Sequence, residues 1–165
     1  MPHSKYNVDD FLQLDLAALR AHTEAAGDQI DHNRHRDILC KSLSISKVCE
    51  VRRSGSLVAY AVLRPDTKDC WFVGAFNIHP DHRTPGIFLA LAASFLETIK
   101  RHSVLELRSN VYRSNLKSVA LHRRLGFIAT KENAKGIEFR GSVLKILETP
   151  VCRRWERQIF CSDFD

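Results

Sequence analysis

The sequence predicts an α/β fold of the α+β type, in which six β-prone runs form a sheet and about four helices pack against it. Three stretches carry this reading. Residues 47–53 and 56–64 are two β-prone runs joined by Ser54 and Gly55, a two-residue link of the kind that closes an antiparallel hairpin. Residues 70–79 form a mostly apolar run containing Trp71, Phe72, Val73 and Phe76, too apolar for an exposed edge and so expected near the centre of the sheet. From 86 to 102, Phe88, Leu91, Ala92, Phe95, Leu96 and Ile99 recur at three and four residues, which makes a long helix with one buried stripe.

The remaining elements follow in order. Asn7 precedes Val8, Phe11, Leu12, Leu16, Leu19 and Ala26, a helical spacing. Its side-chain oxygen can cap the first turn, and Asp9 and Asp10 favour the positive end of the helix. Gly27 and Asp28 interrupt this helix, and residues 33–43 make a shorter one with Ile38, Leu39 and Leu43 on its inner side. Residues 104–110 alternate Leu105 and Leu107 with Glu106 and Arg108, a strand. Residues 115–125 are helical and end at Gly126, which can take a left-handed closing conformation. Residues 127–131 and 137–147 supply two further strands. The tail, 149–165, carries Val151, Trp155, Ile159 and Phe160, the pattern of a short amphipathic helix that docks on the body or on a second subunit.

A chain of 165 residues with 44% hydrophobic and 27% charged residues has the size and composition of one domain, 1–165, with a core of its own. The formal charge of +6 favours anionic partners. Nucleic acid is possible but not favoured, because the cations are spread out and no basic run interleaved with aromatics is present. Cys40, Cys49, Cys70, Cys152 and Cys161 are an odd set without a CxxC pair, so reduced thiols are expected, and neither a disulfide framework nor a metal site. The polar, acidic start, 1–10, does not read as a secretory signal, and no apolar run reaches the roughly 20 residues that span a bilayer. A cytoplasmic location away from membranes is the expectation.

The turn before the long helix offers a binding chemistry of its own. A loop entering a helix presents unpaired N–H groups, and the helix dipole adds roughly half a positive charge, so a phosphate or pyrophosphate is a natural ligand. Arg83, Thr84, Gly86 and Ile87 occupy this turn, and Pro85 removes one donor. The other reading is that Gly86 simply begins a buried helix.

Two segments stand in a recognisable order: His79-Pro80-Asp81-His82-Arg83-Thr84-Pro85-Gly86-Ile87-Phe88, and Asn115-Leu116-Lys117-Ser118-Val119-Ala120-Leu121-His122-Arg123-Arg124-Leu125-Gly126-Phe127. Together they resemble motifs A and B of the GNAT-type, acetyl-CoA-dependent N-acetyltransferases, with a confident likeness over residues 71–127. The resemblance implies a GNAT-like central sheet, mixed, mostly antiparallel and twisted, of six to seven strands flanked by about four helices. It also implies acetyl-CoA (coenzyme A) as cosubstrate, without a metal, and an amine-bearing acceptor. Carried over residue by residue, it assigns Phe76, Asn77 and Ile78 to the pantetheine arm, mainly through backbone, and Gly74 to the bulge where the central strand splays from its neighbour. Simple tight packing is the competing reading of Gly74. The resemblance further assigns Arg83, Thr84, Gly86, Ile87 and Phe88 to the pyrophosphate turn and Asn115 to the cofactor arm, where Asn115 also reads as a helix cap. Arg123 and Arg124 are cations suited to a helix C-terminus, and either can reach the nucleotide 3′-phosphate.

Two positions depart from the family pattern. Phe88 stands where the family has Gly or Ala, and His122 where many members have the tyrosine that protonates the departing sulfur. A histidine near its ordinary pKa of about 6.5 can donate or accept a proton, so His122 is the candidate general acid and a cofactor contact, against the reading of a satisfied surface histidine. The central strand lacks the glutamate several members use as base. Glu106, Tyr112 and His79 are candidates by their place near strand ends, each with a bland alternative: a solvated strand face, a packed aromatic, a turn residue. Cys49 and Cys70 read as core. The expected activity is transfer of an acetyl or other acyl group to an amine of a small molecule, protein or peptide by direct attack on the thioester. Acetylation of aminoacyl-tRNA and a non-catalytic acyl-CoA-binding regulator are the alternatives, and the chain is a monomer or homodimer.

Overall fold

The computed structural model describes residues 5–162, so the readings of the extreme ends of the 1–165 span fall outside the described residues. Helices α1 (Val8–Ala25) and α2 (His32–Ile45) lead into strands β1 (Lys47–Arg53), β2 (Ser56–Pro65) and β3 (Cys70–Ile78). Helix α3 (Pro85–Arg101), strand β4 (Glu106–Tyr112) and helix α4 (Leu116–Arg124) follow, then β5 (Ile128–Glu132), β6 (Gly136–Ser142), α5 (Val143–Glu148) and α6 (Pro150–Ser162).

The six strands lie in the order β1-β2-β3-β4-β6-β5, so β3 occupies the interior its apolar sequence demands. All neighbours are antiparallel except β3 and β4, which run parallel because α3 carries the chain back between them. At the β1–β2 turn, Ser54 (φ 49°) and Gly55 (φ 82°) both have positive φ, the geometry that matches strand twist in a two-residue hairpin.

Two cores flank the sheet. On one face Phe11, Leu12, Leu14, Leu39 and Leu43 of α1 and α2 pack with Leu57, Tyr60 and Val62. On the other, Leu91, Leu96 and Ile99 of α3 pack with Ala61, Leu63, Trp71 and Leu107, joined by Val143, Ile146 and Cys152 of the last two helices. Helix α4 closes a smaller cluster on this second face, with Val119 against Val111, Ile137 and Phe139. Asn7 caps α1 through an Asp9 N–H bond of 3.2 Å, as its sequence implies.

Several expectations change. Ile38 is 52% exposed rather than inward, because only Leu39 and Leu43 of α2 reach the sheet. Leu105 is likewise exposed and precedes β4. The run 137–147 is a strand only to Ser142 and then turns helical as α5. The reason is periodic: Val143 and Ile146, three apart, are the buried pair, which a helix can present to one core and an alternating strand cannot. Two C-terminal helices therefore bring the total among the described residues to six.

Candidate active site

Strands β3 and β4 pair only from Cys70 with Glu106 to Val73 with Ser109. Beyond that point β3 stays bonded to β2 as far as Ile78, and β4 stays bonded to β6 as far as Tyr112. The two strands thus part in a V, and residues 74–78 keep a strand edge that no neighbouring strand covers. Gly74 is the extra residue at the vertex: Val62 pairs with Ala75 and Leu63 with Val73, which leaves Gly74 unmatched as a bulge. One inserted residue reverses the side-chain alternation. Trp71 and Val73 face α3, yet past the bulge Phe76 and Ile78 face it, while Ala75 and Asn77 turn to the face of α1 and α2.

The start of α3 borders this V. Thr84 caps the helix, its Oγ1 accepting from the Ile87 N–H at 3.3 Å, and its carbonyl accepts from the Phe88 N–H. Pro85 has no N–H, so Gly86 holds a first-turn N–H without a protein partner among the described residues. A Cβ added at Gly86 would meet nothing within 4 Å, so the turn faces open space there. Arg83 and Thr84 are exposed and Ile87 is buried in the core. Phe88 is half-buried and turns away from the turn's backbone, its ring 5.9 Å from Phe76 and 5.0 Å from Trp155 of α6.

Across the V, Asn115 caps α4, its Oδ1 accepting from the Ser118 N–H at 3.2 Å. About two turns on, His122 lies between α4 and the sheet, stacked on Phe139 with ring centroids 4.9 Å apart. Its Nδ1 is 2.8 Å from the Ser118 carbonyl, which can only accept, so Nδ1 carries the proton. Nε2 then accepts from the Ser109 hydroxyl at 3.1 Å. Burial pushes the imidazole pKa down, with the Ser118 bond opposing, so the resting ring is neutral. Ser109 is itself buried and belongs to the last residue pair before the strands part.

The model of the acetyltransferase (GNAT) family matches residues 10–127. The chain belongs to the GNAT acetyltransferase family. By sequence, no curated protein matches it. Among solved structures it is similar to the PaiA N-acetyltransferase of Thermoplasma acidophilum in complex with coenzyme A, 12% identical over 82% of this chain and 92% of that one, with a TM-score of 0.66. The ribosomal-protein-S18-alanine N-acetyltransferase of Escherichia coli is 14% identical over 82% and 87%, with a TM-score of 0.62. An aminoglycoside 6′-acetyltransferase of type Ii is 12% identical over 87% and 92%, with a TM-score of 0.63. At such identities these likenesses speak for the GNAT fold alone.

Within the GNAT frame, the sequence-derived residues fall into groups. Phe76 and Ile78 lie on the α3 face of the open stretch, Asn115 caps α4, and His122 of α4 is bonded to Ser109 where the strands part. Asn77 points to the opposite face, and Arg123 and Arg124 are exposed at the end of α4. Glu106 stands at the closed end of the β3–β4 pair, on the other side of Ser109 from the V, in an ion pair with Arg140 at 3.0 Å. Arg108 continues that charged surface, bonded to Asp66 at 2.9 Å and lying 4.4 Å over the Phe72 ring. Tyr112 lies at the open end of β4, half-buried. His79 follows β3, its Nδ1 accepting from the Asp81 N–H, and lines a depression with Asp10, Gln13, Arg20, Ser56 and Leu57. Burial, with Glu106 nearby, pushes the Cys70 thiol up to about 11, so it is no nucleophile near neutral pH. Among the described residues no three His, Cys, Asp or Glu side chains gather as a metal site, and no helix is long and apolar enough to cross a membrane.

Sequence reasoning missed two residues. Ser109 is an ordinary strand serine until the fold sets it under His122. Asp15, in the middle of α1, is buried and accepts from the Tyr60 hydroxyl at 2.6 Å and from Asn77 Nδ2 at 2.9 Å, with His35 Nε2 2.8 Å away. The one available signal was an Asp at an inward position of an amphipathic helix, between Leu12 and Leu16.

Proposed function

We propose that this chain is an N-acyltransferase, moving an acetyl or other acyl group from coenzyme A to an amine of a small molecule, protein or peptide by direct attack on the thioester. The observation that carries the reading is the uncovered edge of residues 74–78 beside the start of α3. The amide-bearing pantetheine arm can bond to that edge as a further strand would, and the pyrophosphate suits the Gly86 N–H and the positive end of the helix. The donor set fits an extended polyamide ending in phosphates. Phe88 fits too, because its ring packs on Phe76 and Trp155 and leaves the turn's backbone open. Acceptors named for similar proteins, a ribosomal-protein alanine and an aminoglycoside, support an amine acceptor without selecting one.

The chain's own residues divide the proton work. After the amine nitrogen bonds to the carbonyl, it must lose a proton, and the departing sulfur must gain one. His122, neutral and hydrogen-bonded to Ser109 at the vertex, can take that proton and return it to the sulfur through the Ser109 hydroxyl. Net, one proton passes from nitrogen to sulfur and both side chains end as they began.

The test is calorimetric titration with acetyl-CoA followed by a thiol-release assay over an alanine-ended peptide, an aminoglycoside, simple alkylamines, aromatic amines and charged tRNA. Binding with thiol release to an amine or peptide is the expected result. Binding without release to any acceptor identifies a regulator, and release only with charged tRNA identifies an RNA-directed enzyme; either overturns the proposal as stated.

A further inference from the structure

Among the described residues Asp15 is the single buried carboxylate, 2% exposed. A buried carboxylate without partners is costly, and three side chains from three other elements relieve it here. Tyr60 of β2 and Asn77 of β3 both donate to Oδ1, and His35 of α2 meets Oδ2. Burial first, and then Asp15, push the Tyr60 phenol pKa well up, so this hydroxyl remains a donor. Facing a carboxylate oxygen, His35 Nε2 carries its proton, and in the neutral ring the lone pair is then on Nδ1. No protein hydrogen bond engages Nδ1 among the described residues, and the His35 side chain is 24% exposed. The carboxylate therefore fixes the tautomer of an imidazole whose other nitrogen is an acceptor, on a partly exposed side chain.

The location adds to the chemistry. Asn77 lies in the uncovered stretch 74–78, and its side chain faces α1 and α2, away from α3 and α4. With the thioester carrier on the α3 and α4 side, the incoming amine approaches from the face that holds Asp15 and His35. That amine arrives as an ammonium ion and cannot attack until it loses a proton. The hydrogen-bonded partner of His35 is Asp15 of α1, which Tyr60 and Asn77 hold in turn. Asp9 and Arg36 pair separately, 3.0 Å apart, elsewhere between the same two helices.

Resting on the transferase reading above, we propose that Asp15 and His35 are the general base of the reaction. The ammonium N–H bond breaks, its electron pair stays on nitrogen, and the proton moves to His35 Nδ1 directly or through one water. Asp15 stabilises the imidazolium, which releases the proton to solvent through its exposed edge. The freed lone pair then attacks the carbonyl, and the second nitrogen proton follows the His122 and Ser109 route to sulfur.

The experiment uses His35→Gln, whose amide can still donate to Asp15, and Asp15→Asn, which keeps the shape and removes the charge. The kcat/KM of each is measured against pH with benzylamine, an ammonium ion at neutral pH, and with aniline, already neutral there. A base on the protein lets the ammonium form of benzylamine react, whereas aniline needs none. The expected result at neutral pH is a fall of about 100-fold in the benzylamine-to-aniline ratio in both variants, with acetyl-CoA binding retained and the residual benzylamine rate rising with pH only in step with the neutral fraction of the amine. Equal losses on both amines, or a wild-type pH profile in His35→Gln, overturn the base and leave the pair as a tie between helices and sheet. Wild-type protein that releases thiol with neither these amines nor any other acceptor overturns the transferase reading itself, and this inference with it.

Discussion

His122 shows how strongly position governs a single side chain. In a peptide its ring would titrate near 6.5, but in the fold it is wedged between Phe127 and Phe139 and held at both nitrogens. A histidine whose pKa is lowered by folding binds more protons when unfolded, so stability rises with pH across the gap between the two values. Stability should therefore be lost as pH falls below about 6.5, the unfolded value, and the loss should level off below the lower folded value. His122→Phe removes this proton linkage. Urea midpoints measured across that window should fall more steeply with acid for wild type than for the variant. In the same variant, turnover should fall by about 100-fold while acetyl-CoA binding persists, because the ring's part in the proposed reaction is proton transfer. Unchanged turnover removes His122 from the chemistry.

Single elements are set by equally small features. The bulge at Gly74 turns Phe76 and Ile78 toward α3 and sends Asn77 to Asp15, so one residue assigns each side chain of the open stretch to its face. At the other end of the sheet, β6 stops where Ile146 of α5 and Phe127, just before β5, close on Gly141. A Cβ there would lie 3.0 Å from both Ile146 Cδ1 and Phe127 Cδ1. Gly141→Ala should cost about 1–3 kcal/mol, since overpacking a filled site forces neighbours off their preferred geometry. Chemical denaturation measures this, and a variant as stable as wild type would mean that α5 yields without cost.

At the scale of the whole molecule, α6 fixes the position of α3. Trp155 packs on Phe88, Cys152 is fully buried beneath the helix crossing, and Glu156 pairs with Lys100. The tail thus docks on the body through Trp155, while Phe160 stays 64% exposed. Trp155→Ala should destabilise the protein by about 2 kcal/mol, below the roughly 3–5 kcal/mol of a fully buried large aromatic because Trp155 is half-buried, with a fall in Tm of roughly 4–8 °C. A melting temperature within 1 °C of wild type would show α6 to be dispensable for stability, a threshold set from the roughly 2–4 °C per kcal/mol expected at this size.

The sequence by itself determined the order of elements as far as β6, the central place of β3, the hairpin at Ser54 and Gly55, and the caps at Asn7 and Asn115. These follow from local causes: alternation, helical spacing, turn residues and cap chemistry act over a few positions and are written in neighbouring letters. The family resemblance added Gly74 as a bulge, and the register bears that out. The end of β6 at Ser142 was not legible, because an apolar run such as 143–147 suits strand or helix until a core selects one period. Only the tertiary structure decided that Glu106 is spent on Arg140 at the closed end, that Ser109 stands under His122, and that Asp15, His35, Tyr60 and Asn77 meet. Those four residues are separated by up to 62 positions. Their contact depends on how two helices cross a sheet, a property that no local spacing encodes.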